Sequence, residues 1–145
     1  MARYICTLNG SRGRTIHIYD KKCVIETAVT IGSVMTHNAT DGIKTIFYKD
    51  CTGIQFKRSG IVLGYLQFET PSMQMNNQNS NLFSENTFTF EWELGEQTNG
   101  IMENVYDFVC DCVESIKYGT PFPDDDMKSL AAYLDKYGVL VNRDL

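Results

Sequence analysis

From Arg3 to about Glu93 apolar and polar positions alternate with a period of two, and turn residues interrupt the alternation every eight to twelve positions. That spacing predicts short strands of an antiparallel sandwich or barrel. Residues 4–8 form the first predicted strand. Asn9, Gly10 and Gly13 then mark a hairpin loop into 14–19, where Ile16 and Ile18 share a face and His17 takes the opposite one. Asp20-Lys21-Lys22 turns into the β-branched run 23–31, and 35–42 reads as a polar loop. Residues 43–48 read as a short edge strand carrying only Lys44 as a guard against pairing with other chains. In 52–57, Ile54 and Phe56 are expected inward, with Gln55 and Lys57 outward. In 61–69, Val62, Leu66 and Phe68 fall on one side and Gly64 suggests a mid-strand bend. Residues 71–86, rich in Asn and Gln, predict a long hairpin loop. The last strand is the cleanest: Phe88, Phe90, Trp92 and Leu94 should form a core face, with Thr87, Thr89, Glu91 and Glu93 solvated.

At Gly95 the period changes to 3.6. Ile101, Val105, Phe108, Val109, Cys112, Val113 and Ile116 make one broad stripe, with Glu103, Asp107, Asp111 and Glu114 opposite. Thr98 or Asn99 suits the N-cap, and Tyr118-Gly119-Thr120-Pro121 the stop. A shorter helix follows, for which the acidic residues 124–126 offer a cap and an acidic first turn, with Met127, Leu130, Ala131, Leu134 and Tyr137 as its stripe before Gly138. The expected fold is mainly β (α+β): an antiparallel barrel of about seven strands capped by a C-terminal amphipathic helix, over residues 1–119. A short helical appendage then occupies 120–145.

The 145 residues, 43% apolar and 21% charged, suit one folded domain and exclude a disordered, collagenous or coiled-coil chain. The net charge of −5 divides unevenly, +5 over residues 1–60 and −10 over 61–145. Phosphate polymers are bound chiefly through Lys and Arg, so nucleic acid is not an expected partner. Five cysteines, an odd number without a Cys-x-x-Cys pair, point to free thiols in a reducing compartment. No stretch is apolar enough for a signal peptide or a membrane span, and the expected location is cytoplasmic.

Candidates for chemistry are few. His17 and His37 are the only histidines, and neither stands near a Cys, Ser or carboxylate at a spacing that specifies a triad. No nucleotide-binding, nucleophile-elbow or zinc-protease motif is present. Cys110 and Cys112, two apart on a helix, lie about 200° apart around its axis and cannot share one ion. Asp124, Asp125 and Asp126 are explained as a helix's acidic first turn rather than a calcium loop. No catalytic residue, metal or cofactor is expected.

Residues 42–57, Gly-Ile-Lys-Thr-Ile-Phe-Tyr-Lys-Asp-Cys-Thr-Gly-Ile-Gln-Phe-Lys, with Gly-Tyr-Leu-Gln-Phe-Glu-Thr from Gly64, resemble bacterial PH-like domains of the DUF4429 type, although Cys51 stands where an isoleucine is usual. The run from Asn86 to Glu91 and the helix from Asn104 to Ile116 are similar to that family's last strand and helix. Residues 127–140 resemble the first half of a SHOCT module, without its second helix. The resemblance implies a fold more than a function, because this fold hosts lipid, peptide and protein ligands alike. It also favours self-association. In eukaryotic lipid-binding relatives the first hairpin carries basic residues that hold phosphates. Arg12 and Arg14 occupy that hairpin here, and Lys21 and Lys22 the next turn. Solvated loop charge accounts for the four more simply; if they act, their ligand is an anionic lipid or an acidic protein segment. The expected function is a non-enzymatic interaction module that binds protein, itself or an anionic surface. The alternative is a small accessory or inhibitor protein of a mobile element that binds a host protein. An enzyme would require a deep polar pocket beside His17.

Overall fold

The computed structural model describes residues 1–28, 42–71, 85–91 and 96–145. His37, Trp92, Leu94, most of the Asn/Gln-rich stretch and the end of the predicted strand 23–31 lie outside them. Four strands, β1 (Tyr4–Asn9), β2 (Arg14–Tyr19), β3 (Lys22–Thr27) and β4 (Gly42–Phe47), pair antiparallel in sequence order. A 3₁₀ turn at Tyr48–Asp50 leads to a second meander of β5 (Gly53–Lys57), β6 (Gly64–Glu69) and β7 (Thr87–Phe90). Helix α1 (Glu96–Tyr118), helix α2 (Asp124–Lys136) and the two-residue β8 (Leu140–Val141) complete the described elements. The architecture is mixed α+β, with two antiparallel sheets ordered β4-β3-β2-β1-β8 and β5-β6-β7. Alternation places Ile16, Ile18, Ile25 and Ile46 of the larger sheet and Leu66, Phe68 and Phe88 of the smaller in one core, which Val105, Val109 and Cys112 of α1 cover.

The expected closed barrel is not found: no strand pairing joins the two sheets among the described residues. They meet instead where the β1–β2 loop lies on β7. Ser11 N–H donates to Thr89 O (2.9 Å), Ser11 Oγ to Thr89 Oγ1 (3.0 Å), and the Arg14 guanidinium to Thr87 O. This contact also corrects the expectation for β7, whose Thr87 and Thr89 are fully buried rather than solvated. Gly10 permits it, since a Cβ there would collide with Thr89 O and the Phe88 ring. A second correction concerns Val62. Strand β6 begins at Gly64, and Ile61 and Val62 stand in the preceding turn, exposed to solvent. Gly64 is therefore no mid-strand bend; a Cβ there would meet the Phe90 ring and Lys57 O.

Helix α1 starts earlier than its apolar stripe, so Thr98 and Asn99 lie within its first turn rather than at a cap. Asn99 is buried and serves another element: its Oδ1 accepts from Ser59 N–H (2.8 Å) and its Nδ2 donates to Ser59 O (3.0 Å), fixing the base of the β5–β6 turn. Gly119, at φ 71°, ends the helix as expected, and Gly138, at φ 82°, follows α2. Helix α2 has Pro123 at its N-cap with no side-chain cap bond, and it adds Met127, Leu130 and Leu134 to the common core.

Strand β4, expected as an edge, lies at one edge of the larger sheet among the described residues. The C-terminal segment goes elsewhere: β8 pairs with β1, and Asn142 reinforces it from its N–H to Ile5 O (2.8 Å) and from Nδ2 to Tyr4 O (2.9 Å). The pairing closes the β1 edge and leaves β4 at the other. No helix of the described residues is long and apolar enough to cross a membrane.

Candidate functional site: a groove between a sheet edge and a helix

The four basic residues singled out by sequence do not form one patch. Arg12, at φ 58°, and Arg14 belong to the loop before β2 and its first residue, whereas Lys21 and Lys22 follow its last. Six extended residues place the two groups roughly 20 Å apart. Arg14 is only 4% exposed, and burial pushes its guanidinium pKa down. It joins the two sheets through Thr87 O. Lys22 lies over the Tyr19 ring at 5.0 Å, and Lys21 is exposed.

Across the solvent face of the larger sheet runs an arrangement that sequence spacing did not disclose. Glu26 Oε2 lies 2.9 Å from His17 Nε2, His17 Nδ1 lies 2.8 Å from Thr7 Oγ1, and Thr7 Oγ1 lies 2.6 Å from the Tyr4 hydroxyl. With a neutral imidazole and an ionised Glu26, Nε2–H donates to the carboxylate, Thr7 donates to Nδ1 and Tyr4 donates to Thr7. A hydroxyl, an imidazole and a carboxylate in series share the connectivity of an acyl-transfer triad. The row is visible only once the register is known, because Thr7 faces His17 across β1–β2 and Glu26 lies diagonally on β3. It crosses an open sheet face, its flanking amides serve the ladders of β8, β1, β2 and β3, and none of the three cavities described below touches it.

The first cavity is a groove of about 290 Å³ between the start of β5 and the last turns of α1. Thr52, Gly53 and Ile54 form one wall; Val113, Lys117 and Tyr118 form the other, with Cys51 and Cys110 also lining it. Its strand wall is a sheet edge among the described residues. Phe68 N–H donates to Asn86 O on the β7 side, so the odd-numbered residues of β6 bond β5 through Gly53, Gln55 and Lys57. The N–H and C=O of Ile54 therefore face away from β6, beside the helix. Phe56 anchors the edge by stacking on Tyr106 of α1 at 5.4 Å. Burial pushes the Cys51 pKa up to about 11 against the opposing pull of Lys117, and burial also raises that of Cys110.

A second cavity, about 410 Å³, lies between α1 and α2 and is lined by Asp107, Asp111 and Asp126. Burial, followed by Asp126, Glu114 and Asp107, raises the pKa of Asp111. The third, about 220 Å³, separates α2 from the C-terminal residues. Among the described residues no group of three or more His, Cys, Asp or Glu side chains is placed to hold a metal ion. All five cysteines are free thiols.

Compared with known proteins, the chain matches no family model, no curated protein and no solved structure.

Proposed function

We propose that the chain is a non-enzymatic, PH-like interaction module whose groove between β5 and α1 receives an extended segment of a partner protein. The observation that carries this reading is the outward backbone of Ile54 beside an open cavity. A strand added antiparallel to β5 pairs its amides with that edge, and its alternate side chains enter the groove against Val113 and Tyr118. Backbone pairing supplies affinity and the helix wall supplies selectivity. Glu114 and Lys117 offset one another there, so the inserted side chains are apolar rather than charged. The PH-like element order is supported by four plus three meandering strands followed by a helix. Binding of an anionic surface has less support, because the candidate cations are divided between two ends of β2.

Photo-crosslinking tests the groove. A benzoylphenylalanine replacing Tyr118 should link one protein from the native cell through a single extended stretch, and a synthetic peptide of that stretch should abolish the link. The same probe at Leu140, exposed but remote from the groove, is the control. Equal labelling from both positions, or no competition by the peptide, would reject the groove as the binding site.

A further inference from the structure

The geometry points to a second copy of this chain as the partner of the outer edge of β4, through a two-fold axis at Thr45. This inference does not depend on the groove. Tyr48 N–H donates to Lys21 O (3.1 Å), so by alternation Gly42, Lys44 and Ile46 direct their amides to β3. The N–H and C=O groups of Ile43, Thr45 and Phe47 therefore face outward, and no described strand pairs with them. The same three side chains project on the solvent face of the sheet, where Ile43 is 71% and Phe47 48% exposed. None of the three is charged, and Lys44 reaches Glu85 at 4.0 Å. Among the described residues β4 shows neither the shortening nor the outward charge that usually blunts a sheet edge.

The positions select the occupant. With the axis through Thr45, Ile43 stands opposite Phe47 of the second copy, Thr45 opposite its own counterpart, and each facing pair can exchange both backbone hydrogen bonds. One strand further in, Glu26 is paired with Ile43 and Lys22 with Phe47. Each outer row across the junction then reads Glu26, Ile43, Phe47 of the second copy, Lys22 of the second copy. Apolar groups meet at the centre and opposite charges flank them. An axis through Lys44 would instead set two lysines opposite each other, and one through Ile46 would leave Ile43 unpaired. The register through Thr45 pairs every outward amide of β4 and matches its exposed apolar side chains.

Light scattering at about 100 μM, a concentration that would populate even a weak dimer, should give twice the 16.5 kDa chain mass. Thr45→Pro should return the protein to monomer with an unchanged circular dichroism spectrum, since the lost N–H faces outward and serves no bond to β3. Thr45→Cys provides a test that does not rely on proline being tolerated. Under mild oxidation it should form a covalent dimer that the wild type does not. Ile43→Cys alone should not do so, but should when mixed with Phe47→Cys. A wild-type monomer at that concentration, a dimer unaffected by Thr45→Pro, or Ile43→Cys linking to itself as readily as to Phe47→Cys would overturn the proposal.

Discussion

Two strand faces in this protein carry the same pattern and have opposite fates. The second face of β2 bears Thr15, His17 and Tyr19, and that of β7 bears Thr87 and Thr89. Both alternate with large apolar residues, so both read as solvated. On β2 the face is partly exposed and its His17 joins a surface hydrogen-bonded row. On β7 the β1–β2 loop lies over the threonines, and Ser11 and Arg14 satisfy buried backbone and side-chain oxygens there. Period-two alternation identifies two faces of a strand; what lies over the second is decided by a distant loop.

A large contrast of this kind is expected between two cations. Arg14→Ala removes a buried donor from Thr87 O and leaves a void, and should destabilise the fold by about 3 kcal/mol in urea titrations. Lys21→Ala, on an exposed turn, should be indistinguishable from wild type. Equal losses would show that the β1–β2 loop does not cover β7.

Alkaline stability sharpens the same distinction between covered and open groups. Burial pushes the Cys6 pKa from 9.0 up to about 12. Above pH 9 the unfolded chain releases this proton while the folded one retains it, so stability is intact at lower pH and falls as pH rises. The expected slope from this group is about 1.4 kcal/mol per pH unit until the folded pKa is reached. Burial raises the pKa values of Cys23, Cys112 and Tyr48 as well, which steepens the fall. Urea titrations at stepped pH should show a shallower slope for Cys6→Ala; an identical slope would mean that this thiol is not withdrawn from solvent.

A smaller effect separates the threonines. Thr89→Val should cost about 1–2 kcal/mol by stranding Ser11, whereas Thr15→Val on the open face of β2 should change stability by less than about 0.5 kcal/mol. Thermal melts of the pair would decide it. The least effect of all is expected for Asp107→Asn on the outer side of α1, beside a loss of several kcal/mol for Val109→Asp within the same helix.

The elements with one strong periodic face were legible. Strand β2 matches its expected bounds, the inward residues of α1 from Ile101 to Cys112 are buried, and Gly119 and Gly138 follow their helices. Strand β6 starts late because Ile61 and Val62, apolar and β-propensive, are held in a turn that Asn99 fixes from forty residues away. Thr98 and Asn99 have the chemistry of a cap, yet the helix begins before them. The candidate site was less legible still. Residues 51–54 and 113–118 each have an ordinary sequence; the groove exists only where they meet. The four basic residues, conversely, were conspicuous in sequence and are dispersed in space, one of them buried.

The pairing of β8 with β1 has a consequence for synthesis. Leu140 follows its β1 partners by some 130 residues in the chain and so emerges later, by roughly 7–26 s at ordinary translation speeds. Throughout that interval the β1 edge of the growing sheet has no described partner and is open to other nascent chains. A chain halted before Leu140 retains that vulnerability permanently. The short terminal strand is thus a late closure, and the time at which the ribosome reaches it sets when the nascent sheet is protected from its neighbours.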